Sequence, residues 1–203
     1  MGPEQQRGGA AAPSRGGTIV RKHLATAALV GAVASIPASK FKGLTESPLQ
    51  LAAETLWSPT AQDRELVGTD PTGHIENMPP AVLADRAARR FGRGPLTRET
   101  KLRIQNVVHY GTGAMAGAAY AVLAETFPSV TAGAGTAAGV AVYAVGHGTA
   151  LPLLRVQEPP WRLPRAAVVW EFTSHLVFGL VLELARRSSL RILVRARKRY
   201  SRV

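Results

Sequence analysis

The feature that most constrains this chain is a long apolar run near its C-terminal end, AAVVWEFTSHLVFGLVLELA at 166–185. Three other stretches are similarly apolar. One lies within 18–38, one lies in the helix that Thr97 is predicted to cap at its N-terminus, and one lies at 130–154. Runs of this length with few charges are typical of membrane-spanning helices. The sequence therefore predicts an all-α polytopic membrane protein, a bundle of four transmembrane helices with a long polar loop after the first span.

Hydropathy divides the 203 residues into five segments. Residues 1–17 are rich in Gly and small residues and are predicted to form a disordered N-terminal tail. Residues 18–38 are predicted to be the first transmembrane helix, although a basic start before a short apolar stretch also describes a signal peptide. Residues 39–104 are predicted to be an extramembrane loop with a short amphipathic helix. Three spans at 105–187 and a basic C-terminal tail at 188–203 complete the prediction.

The charge balance and the absence of cysteine limit the classes of partner and site. Net charge is +12 and there is no cysteine, so neither a disulfide nor a thiolate metal site is available. A basic balance suits nucleic acid, but it also suits the lysines and arginines that flank membrane spans. The basic tail lacks interleaved aromatic residues, so nucleic acid is disfavoured. We expect the tail to face anionic lipids; its candidate lipid-facing residues are Arg195, Arg197, Lys198 and Arg199.

Small residues at helical spacing predict close helix packing. Gly113 and Gly117 form a GxxxG pattern in the second predicted span, and Gly135 and Gly139 form another in the third. In a bilayer, glycine ridges allow two helices to approach closely. The pattern supports a compact bundle and leaves a homo-oligomer open.

Four ionisable residues fall inside the predicted spans: His109, His147, Glu171 and His175. Antiparallel threading of the helices places all four in the membrane half that faces the long loop. Glu171 and His175 are four residues apart and share one helix face. Ionisable groups inside a bilayer cost free energy and face the protein interior. We therefore expect these side chains to form one polar cluster.

Three interpretations of this cluster compete. The first is interhelical hydrogen bonding that sets helix register. The second is a proton-responsive site, because histidine titrates near neutral pH and a carboxylate lies beside it. The third is a metal or haem site in a redox protein, although neither HExxH nor ExxH is present. No catalytic residue and no cofactor are predicted, and the favoured function is a non-enzymatic membrane protein that responds to protons. A structural or accessory membrane subunit is a further alternative.

Two other acids have simpler interpretations. Glu183 lies four residues before Arg187, a favourable helical pair at the membrane interface. Glu125 is near a helix C-terminus, where a negative charge is disfavoured. A basic residue on the same side of the membrane is expected to hold it, with Arg21, Lys22, Arg186 and Arg187 as the candidates.

Three segments, HYGTGAMAGAAYAVLAETFP, GHGTALPLL…EPPWRLP and WEFTSHLVFGLVLELARR, resemble the YagU-like family of small bacterial inner-membrane proteins. The resemblance covers 105–188 and extends more loosely over 24–50. It implies a short multi-span bundle with a long loop after its first helix, in the bacterial inner (plasma) membrane. It brings no reaction and no catalytic residues. The basic segments at both ends favour cytoplasmic termini by the positive-inside rule.

Overall fold

The computed structural model describes residues 15–67 and 78–200, with only the backbone described at 15–22, 65, 66, 197 and 200. Within that part of the chain the regular structure is helical, with no strand. This confirms the all-α prediction. The predicted disordered tail lies outside the described residues except at 15–17, where the first helix begins. The helices are α1 (Arg15–Leu56), α2 (Ala61–Val67), α3 (Pro79–Arg90), α4 (Arg98–Thr126), α5 (Thr136–Val145), α6 (Leu151–Leu153) and α7 (Arg165–Tyr200).

Three segments of the described chain are long and apolar enough to cross a membrane, namely His23–Leu56, Pro128–Leu153 and Arg165–Ala196. They correspond to the first, third and fourth predicted spans. The second predicted span is helix α4, which has 29 residues. It is not among the three segments, because its glycines, threonines and His109 lower its mean hydropathy. That α4 spans the membrane, and with it the count of four spans, therefore stays a prediction.

Helix α1 is longer than the sequence predicted. The polar loop was expected to begin at residue 39, whereas α1 continues through Pro37 and Pro48 as far as Leu56. The polar residues that suggested a loop are paired along the helix, as in the ion pair between Lys42 and Glu46. Packing of neighbouring helices allows a proline to be tolerated inside a spanning helix. The predicted boundary at 38 is therefore wrong for the helix.

Helix α7 also continues beyond its predicted end. Arg186 and Arg187 were expected to mark its stop, with a basic tail from 188, but the helix runs to Tyr200. The side chains of 191–196 are exposed. The last part of the predicted tail, 201–203, lies outside the described residues.

The connection before α4 contains the predicted short helix. Helix α3 starts at Pro79 and the chain turns after it at Gly92, whose φ is +71°. Phe91, which follows the helix, is exposed, and the buried residues of α3 are Pro79, Ala81 and Ala88. Thr97 caps α4 as predicted, since its Oγ1 accepts a hydrogen bond from the Thr100 N–H at 3.3 Å.

Glycines allow the long helices to approach closely. Helix α1 packs between α4 and α7, and α5 packs against α7. Gly31 and Gly117 meet where α1 packs on α4. Gly179 of α7 meets Gly139 of α5 and Gly135, which directly precedes α5. A side chain at any of these positions would collide with the backbone of the facing helix. The sequence did not identify Gly31 or Gly179 as partners. All four predicted packing glycines are buried: Gly113, Gly117, Gly135 and Gly139.

The core of the bundle lies where α1, α4 and α7 meet, around Ala38, Tyr120, Phe178 and Leu182. Helix α4 contacts the 3-10 turn at 128–135 but shares few contacts with α5 beyond it. The two segments therefore diverge toward the end of the bundle where α4 begins. A cavity lies between them, and residues of α1, α3 and α7 also line it.

Candidate functional site

Glu171 is a buried carboxylate near the start of α7, with a side chain exposed by only 4%. Its Oε1 lies 3.0 Å from His147 Nδ1. Its Oε2 accepts a hydrogen bond from Gln157 Nε2 at 3.3 Å. No lysine or arginine whose side chain is described forms an ion pair with it. Its side-chain partners are therefore an imidazole and an amide, neither of which carries a permanent charge.

The geometry locates the proton on His147. Its Nδ1 lies 2.7 Å from Gln157 Oε1 as well as 3.0 Å from Glu171 Oε1. Both oxygens accept hydrogen bonds, so Nδ1 carries the hydrogen and donates it. In the neutral ring, Nε2 is then the nitrogen with a lone pair.

An interruption of the helix places His147 at this site. Residues Gly146–Ala150 form a single π turn between α5 and α6. Such turns widen a helix locally and are frequent at functional sites. Pro152, which follows closely, has no N–H to continue the α-helical hydrogen bonds. The His147 ring stacks on Tyr143, with centroids 5.3 Å apart and planes at 19°.

His175 lies next to His147 but does not bond to the Glu171 side chain. Its Nδ1 lies 2.8 Å from the backbone carbonyl oxygen of Glu171. A carbonyl oxygen accepts, so Nδ1 donates and Nε2 is the other, acceptor nitrogen. The His175 and His147 ring centroids are 5.0 Å apart. The shared face predicted for Glu171 and His175 therefore brings them into contact through the backbone.

His109 lies apart from the other three cluster residues. It is on α4, and its Nε2 donates to the carbonyl oxygen of Ser39 on α1 at 3.2 Å. It lines the same cavity as His147, Glu171 and His175. The structure thus brings three of the predicted residues into direct contact and places the fourth across the cavity from them.

The cavity has a volume of about 620 Å³. Apolar residues of α3, α4, α5 and α6 form most of its walls. Helix α3 also lines the cavity, and its Arg86 donates through Nη1 to the carbonyl oxygen of Arg155 at 2.8 Å. Besides the four predicted residues, the polar lining includes Lys42, Glu46 and Gln105.

Sequence reasoning missed three polar residues here. Gln157 was assigned to a polar connection, yet it is buried and joins His147 to Glu171. Gln105 is buried, and its Oε1 has no hydrogen-bond partner among the described residues. Tyr143 lies four residues before His147, so helical spacing could have identified it. Nothing in the local pattern around Gln157 or Gln105 indicates burial.

A second buried carboxylate lies twelve residues further along α7, about 18 Å at the helical rise. Glu183 is fully buried. Its Oε2 accepts from Arg186 Nε at 2.7 Å and from the Tyr120 hydroxyl at 2.8 Å. Arg187 Nε donates to Oε1 at 2.6 Å. The predicted pair with Arg187 is present, but the sequence did not predict that Glu183 is fully buried or that Arg186 and Tyr120 also bond to it.

Glu125 is the other acid that the sequence singled out. Its Oε1 lies 3.7 Å from Nη1 of Arg186, one of the four cations that were candidates to hold it. The glutamate is about half exposed and the arginine is largely buried. Arg186 therefore links Glu125 to the buried Glu183, and this end of the bundle has its charges matched.

The geometry does not favour the metal alternative. Within 15–67 and 78–200, no three His, Cys, Asp or Glu side chains are arranged to hold one metal ion. His109 lies across the cavity from the other two histidines. The cluster is therefore better described as a hydrogen-bonded carboxylate with imidazoles around it.

A family model described as "Protein of unknown function (DUF1440)" matches residues 51–184. The match includes all four residues of the predicted cluster, together with Gln157 and Glu183. No curated protein and no solved structure matches the chain.

Proposed function

The chain belongs to the DUF1440 family, and because the function of that family is unknown, we propose one from the cavity itself. We propose a four-span membrane protein whose His147, Glu171 and His175 take up and release protons in response to pH. The observation that carries the proposal is the buried Glu171 carboxylate, which faces a cavity and has an imidazole and an amide as its side-chain partners.

In this proposal helix α4 also spans the membrane, in addition to the three long apolar segments. Its 29 residues extend about 44 Å, which exceeds the roughly 30 Å hydrocarbon core of a bilayer. One face of α4 packs on α1, and its Gln105, Gly113 and Gly117 are buried. A location in the bacterial inner membrane, with cytoplasmic termini, is part of the proposal and is supported by the YagU-like resemblance.

Cysteines introduced one at a time test the number of spans. The chain has no cysteine of its own, so a thiol reagent labels only the introduced residue. Glu99 and Glu125 lie near opposite ends of α4. If α4 spans, a membrane-impermeant thiol reagent added outside intact cells labels a cysteine at one position and not at the other. Labelling of both positions from the same side would contradict a fourth span.

The proton proposal follows from the charges that Glu171 can share. With Glu171 ionised and His147 neutral, the pair carries one negative charge, and uptake of one proton at His147 Nε2 turns it into an ion pair. A further proton makes the cluster positive, and histidine exchanges protons near neutral pH. A carboxylate held by arginines would have no such freedom, because a guanidinium does not release its proton in proteins.

Other charged and titratable groups also face this cluster. His175 comes from α7 itself, Lys42 and Glu46 from α1, and His109 from α4. Lys42 and Glu46 form an ion pair with each other, so their charges largely cancel at Glu171. We therefore expect the proton content of the cluster to be set chiefly by Glu171 and the histidines.

Infrared difference spectroscopy on the protein in lipid nanodiscs tests this. A pH step through the neutral range should produce a carboxyl band that Glu171→Gln removes. Glu99→Gln, the same change at an exposed position of α4, should leave the band unchanged. A wild-type spectrum without the band, or a band retained in Glu171→Gln, would overturn the proposal and leave interhelical hydrogen bonding.

We also propose that the end of α7 binds anionic lipid. The helix continues past Arg195, and the side chains of Arg195, Lys198 and Arg199 are exposed. Each basic residue near an anionic surface adds about 1 kcal/mol. Native mass spectrometry should show phosphatidylglycerol retained over phosphatidylcholine, with the preference reduced in Arg195→Gln/Arg199→Gln. Equal retention by wild type would contradict it.

A further inference from the structure

We infer that the cavity binds a small lipophilic amine in its protonated form, with the ammonium group at Glu171 and the apolar part against the helix walls. The inference rests on the proposed function in that both need a Glu171 carboxylate whose charge no arginine or lysine neutralises. It goes further by assigning a class of ligand.

The polar lining offers mainly acceptors. Gln105 Oε1 is buried and has no partner among the described residues. His175 and His109 each donate one ring nitrogen to a backbone carbonyl, so the other nitrogen of each neutral ring is an acceptor. A ligand that supplies donors is needed to satisfy such a lining.

The charges of the lining select a cation. Lys42 and Glu46 neutralise each other. With neutral histidines, the carboxylate of Glu171 is the remaining charge among the described lining residues. An anionic ligand would be repelled by this carboxylate, and a neutral one would leave it without a counter-charge.

The size and walls of the cavity select an organic ligand over an inorganic ion. A volume of about 620 Å³ lies within the roughly 300–1,000 Å³ that small-molecule sites occupy. Leu83, Ile104, Val108 and Leu151 line it, together with the aromatic rings of Trp170 and Phe178. A metal ion or ammonium ion alone would leave these apolar walls uncovered. A phenylalkyl group would cover them.

Three probes of one shape test the inference: phenylbutylamine, phenylbutanol and phenylbutanoate. Binding to the full chain in nanodiscs is measured by titration calorimetry, with empty nanodiscs subtracted. We expect the amine to bind about tenfold or more tightly than the alcohol, since both donate a hydrogen bond but only the ammonium also neutralises the buried carboxylate. The phenylbutanoate anion should not bind.

Two variants place the site. Glu171→Gln should weaken amine binding about tenfold or more and remove the preference over the alcohol. Gln105→Leu, which removes the unpartnered acceptor without touching the carboxylate, should weaken the amine several-fold. Glu99→Gln should bind like wild type. The Gln105→Leu result stands even if Glu171→Gln fails to fold.

Each remaining outcome overturns the inference. Equal affinity for amine and alcohol would mean that the cavity does not select a cation. Unchanged amine binding in both variants would assign the signal to lipid. No amine binding, with the Glu171 infrared band still present, would reject the ligand and retain the proton proposal. Loss of the band as well would reject both.

Discussion

Glu171 and Glu183 lie on one helix, and both are buried, yet their surroundings are opposite. Two arginines and a tyrosine hydroxyl surround Glu183 and donate hydrogen bonds to its carboxylate. Glu171 has a histidine and a glutamine as partners and faces the cavity. The first carboxylate has a fixed counter-charge, whereas the charge of the second can change. We infer that Glu183 stabilises the bundle and that Glu171 serves its function.

Neutralising each carboxylate should give the largest contrast. Glu183→Gln leaves the largely buried Arg186 without its main partner, so we expect a loss of about 3–5 kcal/mol. Glu171→Gln keeps a hydrogen-bonding side chain beside neutral partners, so we expect a change of about 1 kcal/mol. Reversible unfolding in mixed micelles measures both. Equal losses would mean that the two sites do not differ in the way proposed.

Glycines near the two sites give a second contrast. A Cβ at Gly135 would collide with the Gly179 carbonyl and Glu183, and the φ of Gly135 is +93°. We therefore expect Gly135→Ala to cost about 2–3 kcal/mol. At Gly146, beside His147, a Cβ meets nothing within 4 Å. Gly146→Ala should be neutral or stabilising by up to about 1 kcal/mol. The same unfolding assay decides, and a costly Gly146→Ala would show that the site is more tightly packed.

Removing the hydroxyl of a buried tyrosine at each site should give a smaller contrast in stability, with Tyr120 beside Glu183 and Tyr143 beside His147. The Tyr120 hydroxyl donates to Glu183 at 2.8 Å, so Tyr120→Phe should cost about 1.5 kcal/mol. The Tyr143 hydroxyl has no partner among the described residues. Tyr143→Phe should therefore leave stability unchanged or raise it. A loss on Tyr143→Phe as large as on Tyr120→Phe would indicate that water or a ligand bonds to that hydroxyl.

The smallest effect concerns helix α3, which lines the cavity. The Leu96 N–H, aided by Arg89 and Lys101, holds the pKa of Asp85 below its ordinary value. A carboxyl with a lowered folded pKa stabilises the fold above its unfolded pKa, and that stability is lost as pH falls through the folded pKa. Acid should thus loosen the link between α3 and α4. Hydrogen exchange at Leu96, corrected for intrinsic rate, should rise in acid, and Asp85→Asn should remove that rise. A rise that survives in Asp85→Asn would assign it to another group.

Local patterns in the sequence predict much of the fold. Apolar run length predicts three segments that the structure also identifies as long enough to span, and spacing predicts the packing glycines and the Thr97 cap. The predicted end of α1 at residue 38 was wrong, because the polar residues after it suggested an exposed loop. Their pairing along the helix, as between Lys42 and Glu46, depends on how α1 packs and cannot be deduced from composition.

By itself, the sequence determined that the chain is helical and apolar enough for a membrane, and that His109, His147, Glu171 and His175 are the notable polar residues. Hydropathy and helical periodicity are properties of neighbouring residues, so they can be evaluated along the chain. The tertiary structure alone decided that Gln157 joins His147 to Glu171 and that Arg186 and Tyr120 enclose Glu183. The physical reason is that the charge a buried carboxylate keeps depends on groups brought to it by helix packing. Tyr120, for example, is far from Glu183 in the chain.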